Sequence, residues 1–505
     1  MPPMAAAAYE TLMERWGPIS DLGRARALLA WDERTYMPKG GAPGRAEQLA
    51  TLARIRHELV TDDALWELIE SLAPEAGGPE AGTIEADTVR MARRTCERAR
   101  LVPAALRAEM TRAASLGESA WERARPSSDL GSYLPHLQRN VELAREYGAC
   151  FGPSEHPYDP LLDEYEPGLT TADARGVLGQ LRDGLVPIVA AVAGNPDALD
   201  DSLLRGSFDP AAQQRLVRDL IEALPLDDGT WRLDATTHPF MTSISEGDLR
   251  ITTRYESDNL GFALFSALHE AGHAIYEAGV PPELRRGPIG HPASLGFHES
   301  QSRLWENWIG RSRPYLERAL LLMRRHFGEQ LAAATPEELY RAANRAGPSL
   351  IRVEADEVTY NLHIALRFEL ELELVDGSLA VDDLAEAWAD RTRAYLGLEI
   401  PDHAHGVMQD VHWAGGAIGY FPTYSLGNVI AAQLWELAGA ELGDLEEMIA
   451  VGELGELRAW LVDRVHRHAS RWLPAELASH ALGGPLDPAP LLARLRTKYG
   501  ELYGF

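Results

Sequence analysis

Two histidines and a glutamate lie close together in the stretch His269-Glu270-Ala271-Gly272-His273. If this stretch is helical, residues i and i+4 lie on one face, one turn apart. Two imidazoles at that spacing can both bind one Zn²⁺ ion at about 2.0–2.1 Å. Glu270 can then reach a water on the metal without being a ligand, which is the position of the general base in a zinc peptidase. The motif therefore predicts metal-assisted hydrolysis of a peptide bond.

The residues around this motif predict the helix that it needs. A helical stretch is predicted over Phe262–Gly279, with Ser257 or Asp258 as the capping residue at its start. Gly279 is soon followed by two prolines, which end the helix. The alternative is a pair of core histidines hydrogen-bonded to carboxylates. Burying two histidines and a glutamate on an apolar helix without a partner is costly, and this favours the metal site.

A zinc hydrolase needs a third protein ligand and an open fourth position. The candidates downstream are His291, His298 and Glu299. A break at residues 287–292 lets the chain reverse, and a second amphipathic helix is predicted over Leu295–Gly310. Glu299 on that helix can face the first helix, whereas His298 points elsewhere and His291 lies in the loop. We therefore expect Glu299 to be the third ligand.

Helical periodicity dominates the rest of the chain, and strand signals are rare. The best strand candidates are Thr230–Asp234 and Leu249–Tyr255, the second of which alternates between polar and apolar residues. We expect a small antiparallel β-sheet there, next to the metal site. The prediction is a mainly α protein with a single large helical body over 1–505. Its N-terminal helical part is placed at 1–150, and its catalytic part, with all metal ligands, at 151–505.

The composition limits the partners and the compartment. The net charge of −28 repels phosphate backbones, so no nucleic-acid partner is expected. Two cysteines in 505 residues do not make a disulfide framework and fit a reducing compartment. We find neither a signal peptide nor a run of about 18 apolar residues, and we therefore expect no membrane contact and a cytoplasmic location.

A series of short motifs between residues 31 and 424 carries a resemblance to a known family. In chain order they are Trp31-Asp32 with Met37-Pro38; Tyr158-Asp159 with the stretch 161–168; His238-Pro239-Phe240; Asp248-x-Arg250-x-Thr252; His269-Glu270-x-x-His273; His298-Glu299-Ser300-Gln301; Ile351-Arg352-x-x-Ala355-Asp356; Gly406-x-x-Gln409-Asp410-x-His412-Trp413; and the stretch 419–424. Any one of these motifs is weak evidence. All of them in order make the chain similar to the carboxypeptidase Taq family of metallocarboxypeptidases.

The resemblance implies a fold and an activity. The fold is mostly helical, with a long, deep substrate groove, and the protein is a homodimer. The activity is zinc-dependent removal of single residues from the free C-terminus of peptides. His269, His273 and Glu299 are the implied ligands of one Zn²⁺ per chain, for which Co²⁺ can substitute, and Glu270 is the implied base. The residues alone indicate a zinc peptidase but not a carboxypeptidase.

A carboxypeptidase needs a cation that holds the terminal carboxylate of its substrate, and an arginine can bind a carboxylate through two parallel hydrogen bonds. The resemblance points to Arg352. The alternative is an ordinary ion pair between Arg352 and Asp356, one turn later. Arg250, on a short strand near Asp248, is a weaker candidate that is expected to brace the site. Asp356 and Asp410 are candidates to orient the ligand imidazoles.

The peptide carbonyl oxygen gains negative charge during attack, and a second donor usually assists the metal in stabilising it. His412 and Tyr420 are the candidates because both lie in family motifs and both can donate a hydrogen bond. The alternative for His412 is a packing role beside Trp413. The alternative for Tyr420 is that it is an aromatic residue of a loop with no role in the reaction. His238 is a candidate to line the same pocket, and Gln409 to bind the substrate backbone.

Two other functions compete with the carboxypeptidase. A zinc endopeptidase or oligopeptidase would use the same chemistry without a carboxylate clamp, and it would still cleave a peptide whose C-terminus is blocked as an amide. A scaffold with a purely structural metal is disfavoured, because such sites usually have four Cys or His ligands.

Overall fold

Helices make up most of the chain, as the apolar periodicity predicts. The structure is a computed structural model that describes residues 3–76 and 82–505. The helices of this described part are α1 Pro3–Thr35, α2 Ala42–Val60, α3 Asp63–Ala76, α4 Ile84–Leu101, α5 Ala104–Ala124, α6 Leu130–Ala149, α7 Asp159–Leu162, α8 Thr171–Ala193, α9 Pro210–Glu222, α10 Leu260–Gly279, α11 Leu295–Arg303, α12 Arg313–Leu331, α13 Pro336–Ala343, α14 Tyr360–Asp376, α15 Leu384–Leu396, α16 Pro422–Leu442, α17 Leu445–Val451, α18 Gly455–Arg464, α19 Pro474–Leu482 and α20 Ala489–Tyr503. The strands are β1 Trp231–Ala235, β2 Met241–Ser245 and β3 Asp248–Thr253.

The small sheet lies where the sequence predicts it, but it is mixed rather than antiparallel. The strand order is β1-β3-β2. β3 pairs antiparallel with β2 and parallel with β1, with Leu233 opposite Ile251. The prediction of an antiparallel sheet is therefore wrong for the β1–β3 pair. Because the chain reverses at each turn, β1 and β3 run in the same direction, and β3 lies between the other two strands. The alternation of polar and apolar residues along a strand does not indicate which strands are neighbours in the sheet.

The sheet packs against α10, the helix that carries the His-Glu-x-x-His motif. Leu249 and Ile251 of β3 are buried. A hydrogen bond of 2.6 Å joins Thr253 Oγ1 to Ser266 Oγ on the helix. The metal-site helix is thus supported along one side by the sheet, as the sequence predicts.

The two predicted site helices form with small differences from the prediction. α10 is capped by Asn259, whose side chain accepts a hydrogen bond from Phe262 N, and not by Ser257 or Asp258. The second helix begins after its cap Ser294, as α11. It then changes to a π-helix over Leu304–Gly310. The predicted end at Gly310 is correct, but the apolar pattern gave no sign of the change in winding.

Glycines allow three helices to approach closely at the centre of the molecule. A Cβ atom on Gly272 of α10 would lie 2.6 Å from Gln301 O and 2.7 Å from Ser302 Cα, both in the backbone of α11. A Cβ atom on Gly427 of α16 would lie 2.7 Å from Glu299 Cβ on the other side of α11. Helix α11, with Glu299, is therefore packed tightly between α10 and α16.

The buried apolar residues form two separate large clusters. The first cluster belongs to the N-terminal helices α1–α4 and includes Leu12, Trp16 and Ile69. The main cluster extends from Val102 to Tyr503 and includes residues of α5 and α6. The change from one cluster to the other thus falls near residue 101, whereas the sequence placed the N-terminal part at 1–150. The single domain stays a prediction, as does the deep groove.

Helix α8 is long and apolar enough to cross a membrane by length and composition, although the sequence contains no uninterrupted run of about 18 apolar residues. Its buried residues, among them Leu181, Leu185 and Ile188, belong to the main cluster. One face of the helix is therefore packed against the rest of the protein, and the other face is at least partly exposed.

Replacement of Gly272 by alanine tests the close packing of α10 and α11. The new methyl group meets backbone atoms that cannot move aside cheaply, so we expect G272A to lower the free energy of unfolding by about 1–3 kcal/mol. Urea denaturation measures this loss. The matched control is G176A on α8, where a Cβ meets no atom within 4 Å at an exposed position. We expect this control to be neutral or stabilising, and equal stability of the two variants would contradict the proposed contact.

Candidate metal centre and active site

Three metal-binding side chains meet between α10 and α11. His269, His273 and Glu299 each offer one ligand atom, and these atoms all lie within 4.8 Å of one another. Glu299 Oε2 lies 3.6 Å from His269 Nε2 and 3.5 Å from His273 Nε2. These distances are longer than ordinary hydrogen bonds. The three atoms therefore surround a common point rather than pair with each other.

The geometry and the charge of this group fit a divalent metal ion. Ligand atoms of a tetrahedral ion bound at about 2.1 Å lie about 3.4 Å apart, which is close to the two distances above. Two imidazoles and a carboxylate are also the donor set of known catalytic zinc sites. Glu270, Glu299 and Glu306 are all buried or nearly so around the same point. A bound cation would balance part of this negative charge.

Glu299 is oriented by a neighbouring arginine one turn later on the same segment. Arg303 Nε donates to Glu299 Oε1 at 2.6 Å, which leaves Oε2 directed toward the histidines. Burial alone would raise the pKa of Glu299, but the positive charge of Arg303 and the two imidazoles hold it below its usual range. Glu299 is therefore a carboxylate at neutral pH, the form that binds metals.

The other two candidates for the third ligand have different neighbours. His298 stacks on His273 with ring centroids 4.3 Å apart, and its Nε2 lies 3.5 Å from Glu277 Oε1. The ring of His291 pairs with the carbonyl oxygen of Pro292 and with Ser470 Oγ. Both histidines thus lie outside the group of three ligand atoms, as predicted.

Glu306 is a residue of the site that sequence reasoning missed. Its Oε2 pairs with His269 Nδ1 at 2.9 Å, on the side of the ring opposite to Nε2. It is held in turn by Arg303 at 3.2 Å and Arg311 at 3.3 Å. Glu306 lies in the π-helix Leu304–Gly310, and such segments frequently occur at functional sites. A carboxylate in this position orients a ligand imidazole.

A sequence signal for Glu306 exists in hindsight. Glu299, Arg303 and Glu306 are spaced by four and three residues, and four of the six residues from Leu304 to Ile309 are apolar. Charges at helical spacing on such a segment indicate a buried network. The sequence instead suggests Asp356 or Asp410 for the orienting role. In the structure Asp356 accepts hydrogen bonds from backbone N–H groups, and Asp410 pairs with two arginines.

Glu270 lies beside the ligand group without belonging to it. It is 6% exposed. Burial, reinforced by the negative charges of Glu299 and Glu306 and opposed by His269, raises its pKa to about 7. A carboxylate of this kind can accept a proton and release it again near neutral pH.

Arg352 lies in a buried cluster of charges. Its Nη2 donates to Asp410 Oδ1 at 2.7 Å, and Nη1 lies 3.3 Å from the hydroxyl of Tyr360. Arg367 binds the other carboxylate oxygen of Asp410 at 2.6 Å. Burial opposes ionisation of Asp410, yet the two guanidinium groups hold its pKa far below the usual range. One negative charge thus faces two positive ones, and a net positive charge remains for an anion.

Asp356 does not pair with Arg352, so the simple helical ion pair is wrong. Residues 352–354 form a single 3₁₀ turn rather than part of an α-helix. The Asp356 carboxylate instead accepts backbone hydrogen bonds from Gly347, Val358 and Thr359. It therefore stabilises the loop that precedes α14.

Gln409 holds the turn that carries Arg352. Its Oε1 accepts a hydrogen bond from Arg352 N at 2.9 Å. Its Nε2 donates to Leu350 O at 3.0 Å and to His405 O at 3.2 Å. Both hydrogens of the amide are used by the protein itself, so the side chain has no donor left for a substrate.

His412 and Tyr420 lie near each other in the loop before α16. Their ring centroids are 5.3 Å apart. Burial, together with the positive charge of Arg352, lowers the pKa of His412 to about 4, so the imidazole is neutral at pH 7. Burial raises the pKa of Tyr420 to about 12, and the negative charge of Glu299 adds to this shift. Both side chains are therefore neutral and able to donate a hydrogen bond, and Tyr420 lies near enough to Glu299 to feel its charge.

Arg250 and His238 lie on the sheet side of α10. Arg250 donates to both carboxylate oxygens of Asp248, at 2.8 and 2.9 Å, and its guanidinium lies 4.1 Å from the ring centroid of Trp31. These contacts join the sheet to α1. His238 is exposed in the connection between β1 and β2. A role of either residue in substrate binding stays a prediction.

Comparisons with known proteins identify the family of the chain. A family model described as carboxypeptidase Taq (M32) metallopeptidase matches residues 11–499. Thermostable carboxypeptidase 1 of Thermus thermophilus is 43% identical over 507 residues, with 99% of each chain covered. Carboxypeptidase 1 of Bacillus subtilis is 36% identical, with 96% of each chain covered. The crystal structure of an M32 carboxypeptidase from Deinococcus radiodurans is 40% identical with a TM-score of 0.95, covering 99% of this chain and 100% of that one.

The chain belongs to the carboxypeptidase Taq (M32) family of metallopeptidases. The resemblance that the motifs carried is thereby confirmed. Membership of the M32 family makes the chain a metal-dependent carboxypeptidase with a mostly helical fold. Among the residues that the structure describes, His269, His273 and Glu299 form a group whose donor atoms fit such a metal ion.

Replacement of Glu306 by glutamine tests whether this carboxylate orients the ligand imidazole of His269. The amide keeps the shape but loses the charge that orients His269, so we expect E306Q to lower metal affinity by about 10- to 100-fold. Competition with a chelator measures the affinity. The control is E317Q, at an exposed position on α12, which we expect to bind metal as the unchanged protein does. Equal affinity of E306Q and the control would contradict the orienting role.

Proposed function

We propose that this M32 carboxypeptidase binds one Zn²⁺ per chain and removes single amino acids from the free C-terminus of peptides, with Glu270 as the general base. The observation that carries the proposal is the group of three ligand atoms from His269, His273 and Glu299, with the carboxylate of Glu270 beside it. A catalytic zinc site has three protein ligands and one open position. The described group supplies three such ligand atoms, which supports the proposal.

His269, His273 and Glu299 would hold the metal. When bound, a Zn²⁺ ion lowers the pKa of a water molecule to about 7 and polarises a carbonyl group. The same donor set also suits Co²⁺, which we propose can substitute. Arg303 and Glu306 keep Glu299 and His269 in place, so the ligand side chains are oriented before the metal arrives.

Glu270 would move the proton in the reaction. Its position next to His269 allows it to accept a proton from the attacking water and to pass that proton to the leaving amine. A base performs this best when its pKa lies near the working pH. Burial keeps bulk water away from the carboxylate and so favours direct transfer.

His412 and Tyr420 would stabilise the carbonyl oxygen of the scissile bond. Each can donate one hydrogen bond, because the imidazole and the phenol are both neutral at pH 7. Donors that are held in place contribute most when the oxygen becomes negatively charged. Their distance of 5.3 Å from one another, between ring centroids, allows both to face one oxygen.

Arg352 would bind the terminal carboxylate of the substrate. The positive charge that remains on the cluster of Arg352, Arg367 and Asp410 supports this role, and the buried surroundings strengthen it. Gln409 is proposed as a positioning residue that fixes the Arg352 turn. The homodimer and the substrate groove stay predictions of the resemblance, and the cytoplasmic location stays a prediction from the composition.

A timed digest of one unstructured peptide in two forms tests the proposed activity. We expect the free acid to lose single C-terminal residues in sequence and the C-terminal amide to stay intact, because only the free acid can pair with Arg352. Mass spectrometry follows both. Elemental analysis of the purified protein measures zinc, and a chelator should stop the cleavage. Internal cuts in both forms would contradict the proposal and support an endopeptidase.

The E270Q variant tests the role of the base in the same digest. General base catalysis contributes about 10²- to 10⁴-fold, so we expect kcat to fall by at least about 100-fold while metal content stays unchanged. The control is E283Q, an exposed residue shortly after the same helix. Full activity of E270Q would show that another group accepts the proton.

The R352K variant tests the carboxylate clamp. Lysine keeps the charge but not the planar fork, and a charge-assisted hydrogen bond contributes about 1.5–3 kcal/mol. We expect kcat/KM for the free acid to fall by about 10- to 100-fold, mainly through KM, in steady-state assays. R325K, whose side chain is 69% exposed, is the control. An unchanged KM in R352K would place the clamp elsewhere.

A further inference from the structure

Glu371 is a buried carboxylate that the proposed reaction does not use. It lies on α14 and its residue is 0% exposed. Its two oxygens accept three hydrogen bonds: from Tyr158 Oη at 2.5 Å, from Trp413 Nε1 at 2.6 Å and from Gly419 N at 3.1 Å. Burying a carboxylate costs free energy that an apolar side chain at this position would not. The three short bonds offset this cost.

Two of the three donors lie directly beside the proposed catalytic side chains. Trp413 follows His412 in the chain, and Gly419 precedes Tyr420. The single carboxylate therefore holds the loop at both of its ends. A shift of Glu371 would move both proposed donors to the carbonyl oxygen together.

The third donor connects this loop to a segment from the first half of the chain. Tyr158 begins the stretch that contains α7, and Tyr165 of that stretch packs edge-on against Tyr420 with centroids 5.2 Å apart. Gly419 has φ +98°, and a Cβ atom there would lie 2.7 Å from the backbone of Leu161. The loop thus lies directly on the stretch, and Glu371 joins the two.

Helix α14 also holds the earlier part of the loop, at Asp410, through Arg367, which lies one helical turn before Glu371. Arg367 binds Asp410, and Asp410 binds Arg352. Residues 367 and 371 lie on the same helical face. Consecutive turns of one rigid helix therefore determine the distance between the proposed carboxylate clamp and the proposed donors to the carbonyl oxygen.

We propose that Glu371 is a positioning residue of the reaction, whose carboxylate sets the places of His412 and Tyr420 relative to the ligand group. This inference rests on the roles proposed above for those two side chains. Glu371 touches neither substrate nor metal in this scheme, and it acts through Trp413 and Gly419. A displacement of about 1 Å at a reacting centre can cost about 100-fold in rate.

The E371Q variant provides the first part of the test. The amide keeps the volume, but its NH₂ group faces a hydrogen-bond donor, so one of the three bonds is lost. We expect kcat to fall by about 10- to 100-fold, with KM and metal affinity close to those of the unchanged protein. The matched control is E369Q on the same helix, whose carboxylate pairs with Arg182 and Tyr395. We expect E369Q to keep its kcat.

A double-mutant cycle separates positioning from general destabilisation. In an H412A/Y420F background the donors are already absent, and we expect the added E371Q change to lower kcat by less than about threefold. A role in stability alone would lower kcat by the same factor in both backgrounds, and this result would overturn the inference. If E371Q does not fold, W413F, which removes one donor, takes its place in the cycle.

The outcomes distinguish this inference from the proposed function. Full kcat in E371Q overturns the positioning role while the carboxypeptidase proposal stands. Full kcat in H412A/Y420F overturns the roles of the two donors, and with them the positioning role. A lower kcat in E371Q and in H412A/Y420F, an unchanged kcat in E369Q and a non-additive cycle support both.

Discussion

The close approach of α10 and α11 is the constraint on which the site depends. The two histidines come from one helix and Glu299 from the other, so their ligand atoms can meet only if the helix backbones nearly touch. Gly272 makes this contact possible, because any larger side chain would collide with the backbone of Gln301 and Ser302. Helix α16 closes the other side, where Gly427 lies against Glu299. Three helices thus hold one carboxylate in place.

Buried charge is the second feature of the site, and it is arranged in two groups of side chains. Arg303 lies between Glu299 and Glu306, and Asp410 lies between Arg352 and Arg367. Buried ions of this kind are costly singly and are retained when each has a partner. The group around Arg303 has a net negative charge next to the ligand atoms, and the group around Asp410 has a net positive charge near Arg352. The two regions are therefore suited to a cation and to an anion.

Much of the site could be predicted because its residues are adjacent in sequence. His269, Glu270 and His273 lie on consecutive turns of one helix, so helical periodicity alone places them together. Glu299 could be predicted because its helix follows after one reversal. Arg352, His412 and Tyr420 had no such local signal, and only the resemblance of their motifs to a family pointed to them. Spacing and residue type by themselves indicate a zinc peptidase. They do not indicate whether the enzyme cleaves at the C-terminus of a peptide or inside it.

The sequence by itself determined the helices, the metal-binding motif and the acidic surface, because these follow from periodicity, spacing and composition along the chain. The tertiary structure alone decided which charges pair. Asp410 meets Arg367 and Arg352, Glu306 meets His269, and Glu371 meets Tyr158, although 37 to 213 residues separate the partners in these four contacts. The order of the strands was decided in the same way. Such pairings depend on how whole helices pack against each other. A local sequence pattern therefore does not indicate which distant residue will be the partner.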